Sequence, residues 1–70
     1  MTLDPDTVAT LRDYRAHAAR RYPALPWTLT LAADMSRGGP AFSGWTGDSW
    51  HLLQRLRGVK LSTLDRQLGS

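Results

Sequence analysis

All three tryptophans and the only phenylalanine of this 70-residue chain lie between Trp27 and Trp50. A chain this short buries a small fraction of its surface, so whatever this stretch folds into must supply much of the core, and the rest must pack on it. There is no cysteine, which removes the disulfides and thiolate-zinc sites that staple many domains of this size. The length allows one compact domain over residues 1–70. Its core is thin, and self-association or a partner is one way to supply the missing stability.

From Trp27 the pattern has a period of two. Trp27, Leu29, Leu31, Ala33 and Met35 alternate with Thr28, Thr30, Ala32 and Asp34, the pattern of a strand with one buried face. Ser36-Arg37-Gly38-Gly39-Pro40 reads as the turn that follows it. Residues 41–45 form a second strand in this reading. Phe42 and Trp45 cannot face the same side of a regular strand, so Gly44 marks a bulge or an early end. Trp27 is assigned to the core.

Helices flank this hairpin. Leu3-Asp4-Pro5-Asp6-Thr7-Val8 places an N-cap at Asp4, a proline at the first helical position and an apolar staple from Leu3 to Val8. The helix runs over residues 5–21 and stops before Pro23, with Val8, Leu11, Tyr14, Ala18, Ala19 and Tyr22 on its apolar face. Thr46-Gly47-Asp48-Ser49 caps a second helix over residues 50–57, with Leu52, Leu53 and Leu56 inward. Gly58 ends it, and a short third helix starting near Ser62 carries Leu61, Leu64 and Leu68. The predicted fold class is α+β: helix, β-hairpin, helix, short C-terminal helix, with the odd-numbered face of the hairpin covered by the two longer helices.

Nine Lys and Arg against six Asp and Glu give a net charge of +3. Eight of the nine cations are arginine, the residue suited to carboxylate and phosphate forks, although a GC-rich coding bias produces the same excess. The charge admits nucleic acid or an acidic protein surface as partner. No run approaches the roughly 18 apolar residues of a membrane span, and the amino-terminal stretch carries acidic residues where a secretory leader would carry basic ones. A soluble, cytoplasmic protein without membrane contact is expected.

Two segments invite a chemical reading. Leu56-Arg57-Gly58-Val59-Lys60-Leu61-Ser62-Thr63-Leu64-Asp65-Arg66-Gln67-Leu68 resembles the turn and second helix of a helix-turn-helix, which implies that Ser62, Thr63 and Arg66 meet base edges. Gln54 and Arg57 depart from that pattern, where a small and an apolar residue are expected. Gly47-Asp48-Ser49 resembles the opening of a hydrolase family in which the serine is the nucleophile, but His51 lies just two residues on and is poorly aimed as its base, and a helix cap explains the same residues. His17 and His51 lack the companions that a metal site needs. Gly38-Gly39 carries no phosphate-loop signature. The arginines of the first helix scatter around its wheel. No enzyme, cofactor or metal is expected.

Trp45 and Trp50 remain, and core and partner surface are both open for them, since three tryptophans crowd so small an interior. The function expected is that of a small non-enzymatic interaction module, an inhibitor or regulator, docking on another protein through Trp45, Trp50, Arg37 and Arg55. The alternative is a small DNA-binding regulator, dimeric, using residues 50–68.

Overall fold

The structure, a computed structural model, describes residues 3–69. Among these there are four α-helices and one 3₁₀ turn, and no strand: α1 (Pro5–Arg21), α2 (Trp27–Ser36), the 3₁₀ turn (Pro40–Ser43), α3 (Ser49–Arg55) and α4 (Leu61–Gln67). The predicted α+β class and its β-hairpin are therefore corrected to an all-helical architecture. Helix α1 packs against both α2 and α3, α4 packs on α2, and the 3₁₀ turn bridges α2 and α3.

Helix α1 starts and ends where its local signals place it. The Asp4 carboxylate accepts the Thr7 N–H at 3.1 Å and the Thr7 hydroxyl at 2.6 Å, with Pro5 next in line. These two bonds, the hydroxyl first, hold the Asp4 carboxyl below the usual carboxylate range. The inward face carries Thr7, Leu11, Tyr14 and Ala18, whereas Ala19 and Tyr22, assigned to the same apolar face, are exposed.

The segment predicted as the first strand is α2, and the reason lies in which residues it buries. Thr30, Leu31 and Asp34 face inward, with Trp27 and Met35 partly covered. Positions 27, 30, 31 and 34 follow the i, i+3, i+4, i+7 spacing of a helix face. Two of them are polar, so a count of apolar residues alone finds the period of two and misses the period of 3.6. Leu29, inward on the strand reading, is 54% exposed. Leu31, Ala32, Ala33 and Met35 are good helix formers, and nothing in the sequence outweighs them once Asp34 finds partners inside.

The glycine pair taken as a hairpin turn is a helix stop. The Gly39 N–H donates to the Asp34 carbonyl at 2.8 Å and the Gly38 N–H to the Met35 carbonyl at 3.4 Å, the two bonds of a Schellman cap. Both residues hold positive φ, +124° and +137°, which glycine adopts freely. The predicted second strand is likewise absent. Its place is taken by the 3₁₀ turn, after which Gly44 at φ +86° re-aims the chain. Phe42 is left outside and Trp45 goes in.

Trp45, 6% exposed, is the core tryptophan. It meets the Tyr14 ring edge-on at 5.4 Å and 88° and donates its indole N–H to Asp13 at 2.9 Å. Trp27, assigned to the core from sequence, is half-covered and donates to Asp65 at 3.2 Å. Helix α3 begins one residue earlier than expected, capped by Asp48, which accepts the His51 N–H at 2.9 Å. Leu52 and Leu56 fill the core from its inner side, and Leu64 and Leu68 do so from α4.

Gly47 lies flat against the Trp45 ring. A Cβ there would stand 2.1 Å from a ring carbon, and an indole wedged between Tyr14 and this loop has nowhere to go. Gly47→Ala is expected to cost ~1–3 kcal/mol by overpacking, read as a lowered urea midpoint with unchanged slope.

Candidate functional site

Three elements converge on Asp34, a carboxylate only 5% exposed. Burying such a group is costly unless donors satisfy it. Helix α1 supplies Tyr14, whose hydroxyl donates to Asp34 Oδ2 at 2.5 Å, and the 3₁₀ turn supplies Ser43, whose hydroxyl donates to the same oxygen at 2.9 Å. Both partners are neutral hydroxyls, and both use Oδ2. Burial first, and the adjoining carboxylate second, push the Tyr14 phenol well above the ordinary tyrosine range, so it remains a donor.

His17 completes the chain of contacts, with Nε2 3.0 Å from the Ser43 hydroxyl oxygen. A serine hydroxyl has one proton, and Ser43 gives it to Asp34, so His17 is the donor in this contact. The order is therefore the reverse of a nucleophile and its base. The same logic holds at the other histidine. Thr7 gives its hydroxyl proton to Asp4, and His51 Nε2, 2.9 Å away, donates to Thr7. His51 thus faces α1, and the Ser49 hydroxyl beside it accepts the Ala41 N–H at 3.1 Å, tying α3 to the 3₁₀ turn. Among the described residues no group of three or more His, Cys, Asp or Glu is placed to hold a metal, and no helix is long and apolar enough to cross a membrane.

Above Asp34 the surface opens into a groove with a cavity volume of about 220 Å³. Its walls are Tyr22 and Leu25 from the α1–α2 loop, Leu29 from the outer face of α2, and Phe42 from the 3₁₀ turn. These are four of the five large apolar side chains that stand exposed among the described residues, Leu29 at 54% and Phe42 at 57%. Arg21 and Arg37 form the rim, each with its guanidinium near an aromatic wall: Arg21 at 5.7 Å from the Tyr22 ring centre and Arg37 at 5.1 Å from that of Phe42. The floor is polar and buried: Thr30, Asp34 and Ser43. The Thr30 hydroxyl oxygen is buried without a hydrogen-bond partner.

The residues singled out from sequence fall in different places. Arg37 is on the groove rim. Trp45 is inside the core and occupied. Trp50 is 70% exposed at the start of α3, and Arg55 is exposed at its end. Ser62 and Arg66 are exposed on α4 and Thr63 is half-buried. Helix α4 spans seven residues and rests on α2, with Asp65, between Thr63 and Arg66, holding the Trp27 indole. Sequence reasoning missed Tyr22, Leu25, Leu29, Thr30 and Asp34 as groove residues. The available signal was the i, i+4 pair Thr30 and Asp34 within an otherwise apolar run, which is more informative than the apolar residues around it. Comparison with protein-family models, with curated proteins and with solved structures returns no match for this chain.

Two outcomes follow from the buried polar groups. Because the folded chain holds the Tyr14 proton more tightly than the unfolded chain, stability is fully present below pH ~10 and falls as pH rises beyond it, where unfolded tyrosine ionises. Tyr14→Phe should flatten that alkaline decline while costing ~1.5–3 kcal/mol at neutral pH through loss of a hydrogen bond to a charged group, both measured by urea unfolding across pH. Thr30→Val, which replaces an unpartnered hydroxyl with a methyl, should leave stability unchanged or raise it, against the usual loss when a buried threonine is altered.

Proposed function

We propose that this protein is a small non-enzymatic interaction module, acting in the cytoplasm, that docks on a partner protein through the groove between α2 and the 3₁₀ turn. The observation that carries this reading is the convergence of Tyr22, Leu25, Leu29 and Phe42, all exposed, on one groove between two arginines. Exposed apolar side chains scattered singly need no explanation, but a contiguous set rimmed by charge is how interaction sites are built. The groove, at about 220 Å³, is smaller than the ~300–1,000 Å³ of small-molecule sites. It suits side chains inserted from another protein. Arg21 and Arg37 favour a partner segment in which apolar residues are flanked by carboxylates. The Ser49–Ala41 bond places the start of α3 beside the turn that carries Phe42, so the exposed Trp50 is the nearest anchor outside the groove, whereas Arg55 lies towards the other end of α1, where its charge acts on Asp4.

The test is affinity capture with three variants of exposed residues. Leu29→Asp should abolish capture of the partner that the wild-type protein retains. Arg37→Glu and Trp50→Ala should weaken capture, Trp50→Ala by ~2 kcal/mol if it acts as an anchor. All three should leave the thermal midpoint within a few degrees. Retention of the partner by Leu29→Asp defeats the groove. Binding of random duplex DNA at low salt, lost together with Arg66→Ala and steeply weakened between ~50 and ~200 mM salt, would transfer the function to the nucleic-acid alternative.

A further inference from the structure

The floor of the groove is not what an apolar docking site requires. A leucine or phenylalanine from a partner would bury Asp34 and Thr30 further and offer them nothing, and an uncompensated buried polar group is costly. Both hydroxyls that satisfy Asp34 converge on Oδ2, neither of them engages Oδ1, and one helical turn away among the described residues the Thr30 hydroxyl is unpartnered. An occupant must therefore bring a hydrogen-bond donor to the bottom of an apolar slot. A lysine or arginine has the donor, but it must pass between Arg21 and Arg37, where like charge opposes it. A neutral aromatic donor meets the demand of the carboxylate without carrying a charge past the arginines. Its ring lies against Leu25, Leu29 and Phe42, and its N–H reaches the carboxylate.

The chain uses this pairing for its own aromatic donors. The Trp45 N–H sits on Asp13, the Trp27 N–H on Asp65 and the Tyr14 O–H on Asp34. Size agrees as well. A cavity of ~150 Å³ holds a benzene ring, and about 220 Å³ leaves room for the second ring of an indole.

Building on the docking function proposed above, we infer that the groove is a tryptophan-reading site: it takes one indole side chain from a partner segment whose neighbouring residues are acidic, with the indole N–H donated to Asp34 Oδ1 and the flanking carboxylates on Arg21 and Arg37. Tryptophan is thus distinguished from an apolar ring of the same size by one charge-assisted hydrogen bond.

The experiment is a titration of the full chain with short fluorescein-labelled peptides carrying tryptophan flanked by leucine and glutamate. Twin peptides carry naphthylalanine, a bicyclic ring without the N–H, or lysines in place of the glutamates. The tryptophan peptide should bind about tenfold more tightly than the naphthylalanine twin, or ~1.4 kcal/mol, and the lysine-flanked peptide more weakly than either. Asp34→Asn, which keeps acceptors for Tyr14 and Ser43 while changing what faces the groove, should erase the tenfold preference. The peptide comparison stands by itself should that variant fail to fold. Equal affinity for tryptophan and naphthylalanine overturns the indole inference and leaves the docking groove standing. Absence of binding by every peptide counts against both. A mass that rises with protein concentration and is lost in Trp50→Ala assigns the groove to a second copy of the chain and overturns the inference as stated.

Discussion

A buried carboxylate held by two hydroxyls fixes how this small protein is put together. Asp34 requires donors, and Tyr14 and Ser43 come from segments 20 and 9 residues away in the chain. Their two hydroxyls fasten α1 and the 3₁₀ turn onto α2 at one point. With that point fixed, the Schellman cap has to deliver Pro40 directly beneath α2, and Gly44 has to turn the chain so that Trp45 reaches the Tyr14 ring. A chain without disulfides, with a core drawn from about ten side chains, gains directional constraint from such a cluster. Hydrogen bonds inside a core are directional, so the two that hold Asp34 specify a geometry.

The tryptophans show the same economy. Each of the two that touch the interior buries ring surface and seats its N–H on an aspartate near the surface, Asp13 or Asp65. A large amphipathic ring with one polar handle is well suited to a domain where few positions lie far from water. Arg12, donating to the Leu68 carbonyl at 3.1 Å, and the Leu3 N–H, donating to the Gln67 side chain at 3.2 Å, tie the last turn of α4 back to α1 by comparable means. Polar side chains here act as connectors between short helices that have little apolar surface to share.

The groove is the outer side of this arrangement. Helix α2 presents Thr30 and Asp34 inward beside Leu31, and Leu29 and Ala33 outward, which departs from the usual amphipathic distribution at these four positions. Asp34 went in because partners for it existed there, Thr30 went in with its hydroxyl unpartnered, and Leu29 was left out where α1 and the 3₁₀ turn stop short of covering it. The exposed apolar wall of the groove is the outer counterpart of the hydrogen bonds that hold Asp34 inside.

Local chemistry in the sequence determined the elements that depend on neighbours in the chain. The Asp4-Pro5 start and Pro23 end of α1, the Asp48 cap of α3 and the inward leucines at 52, 56, 64 and 68 all follow from capping and periodicity. The conformation of residues 27–45 did not. Alternating Trp27, Leu29, Leu31, Ala33 and Met35 with a following glycine pair writes a hairpin as plainly as a helix and its cap, and the two readings differ in whether Asp34 can be buried. That question is answered by Tyr14 and Ser43, which lie outside the segment. The same long-range pairing sent Trp45 inside, left Trp27 at the edge and gathered Tyr22, Leu25, Leu29 and Phe42 on one surface. A polar residue is read from sequence as solvent-facing until its partner is known, and the partner is a property of the tertiary structure alone.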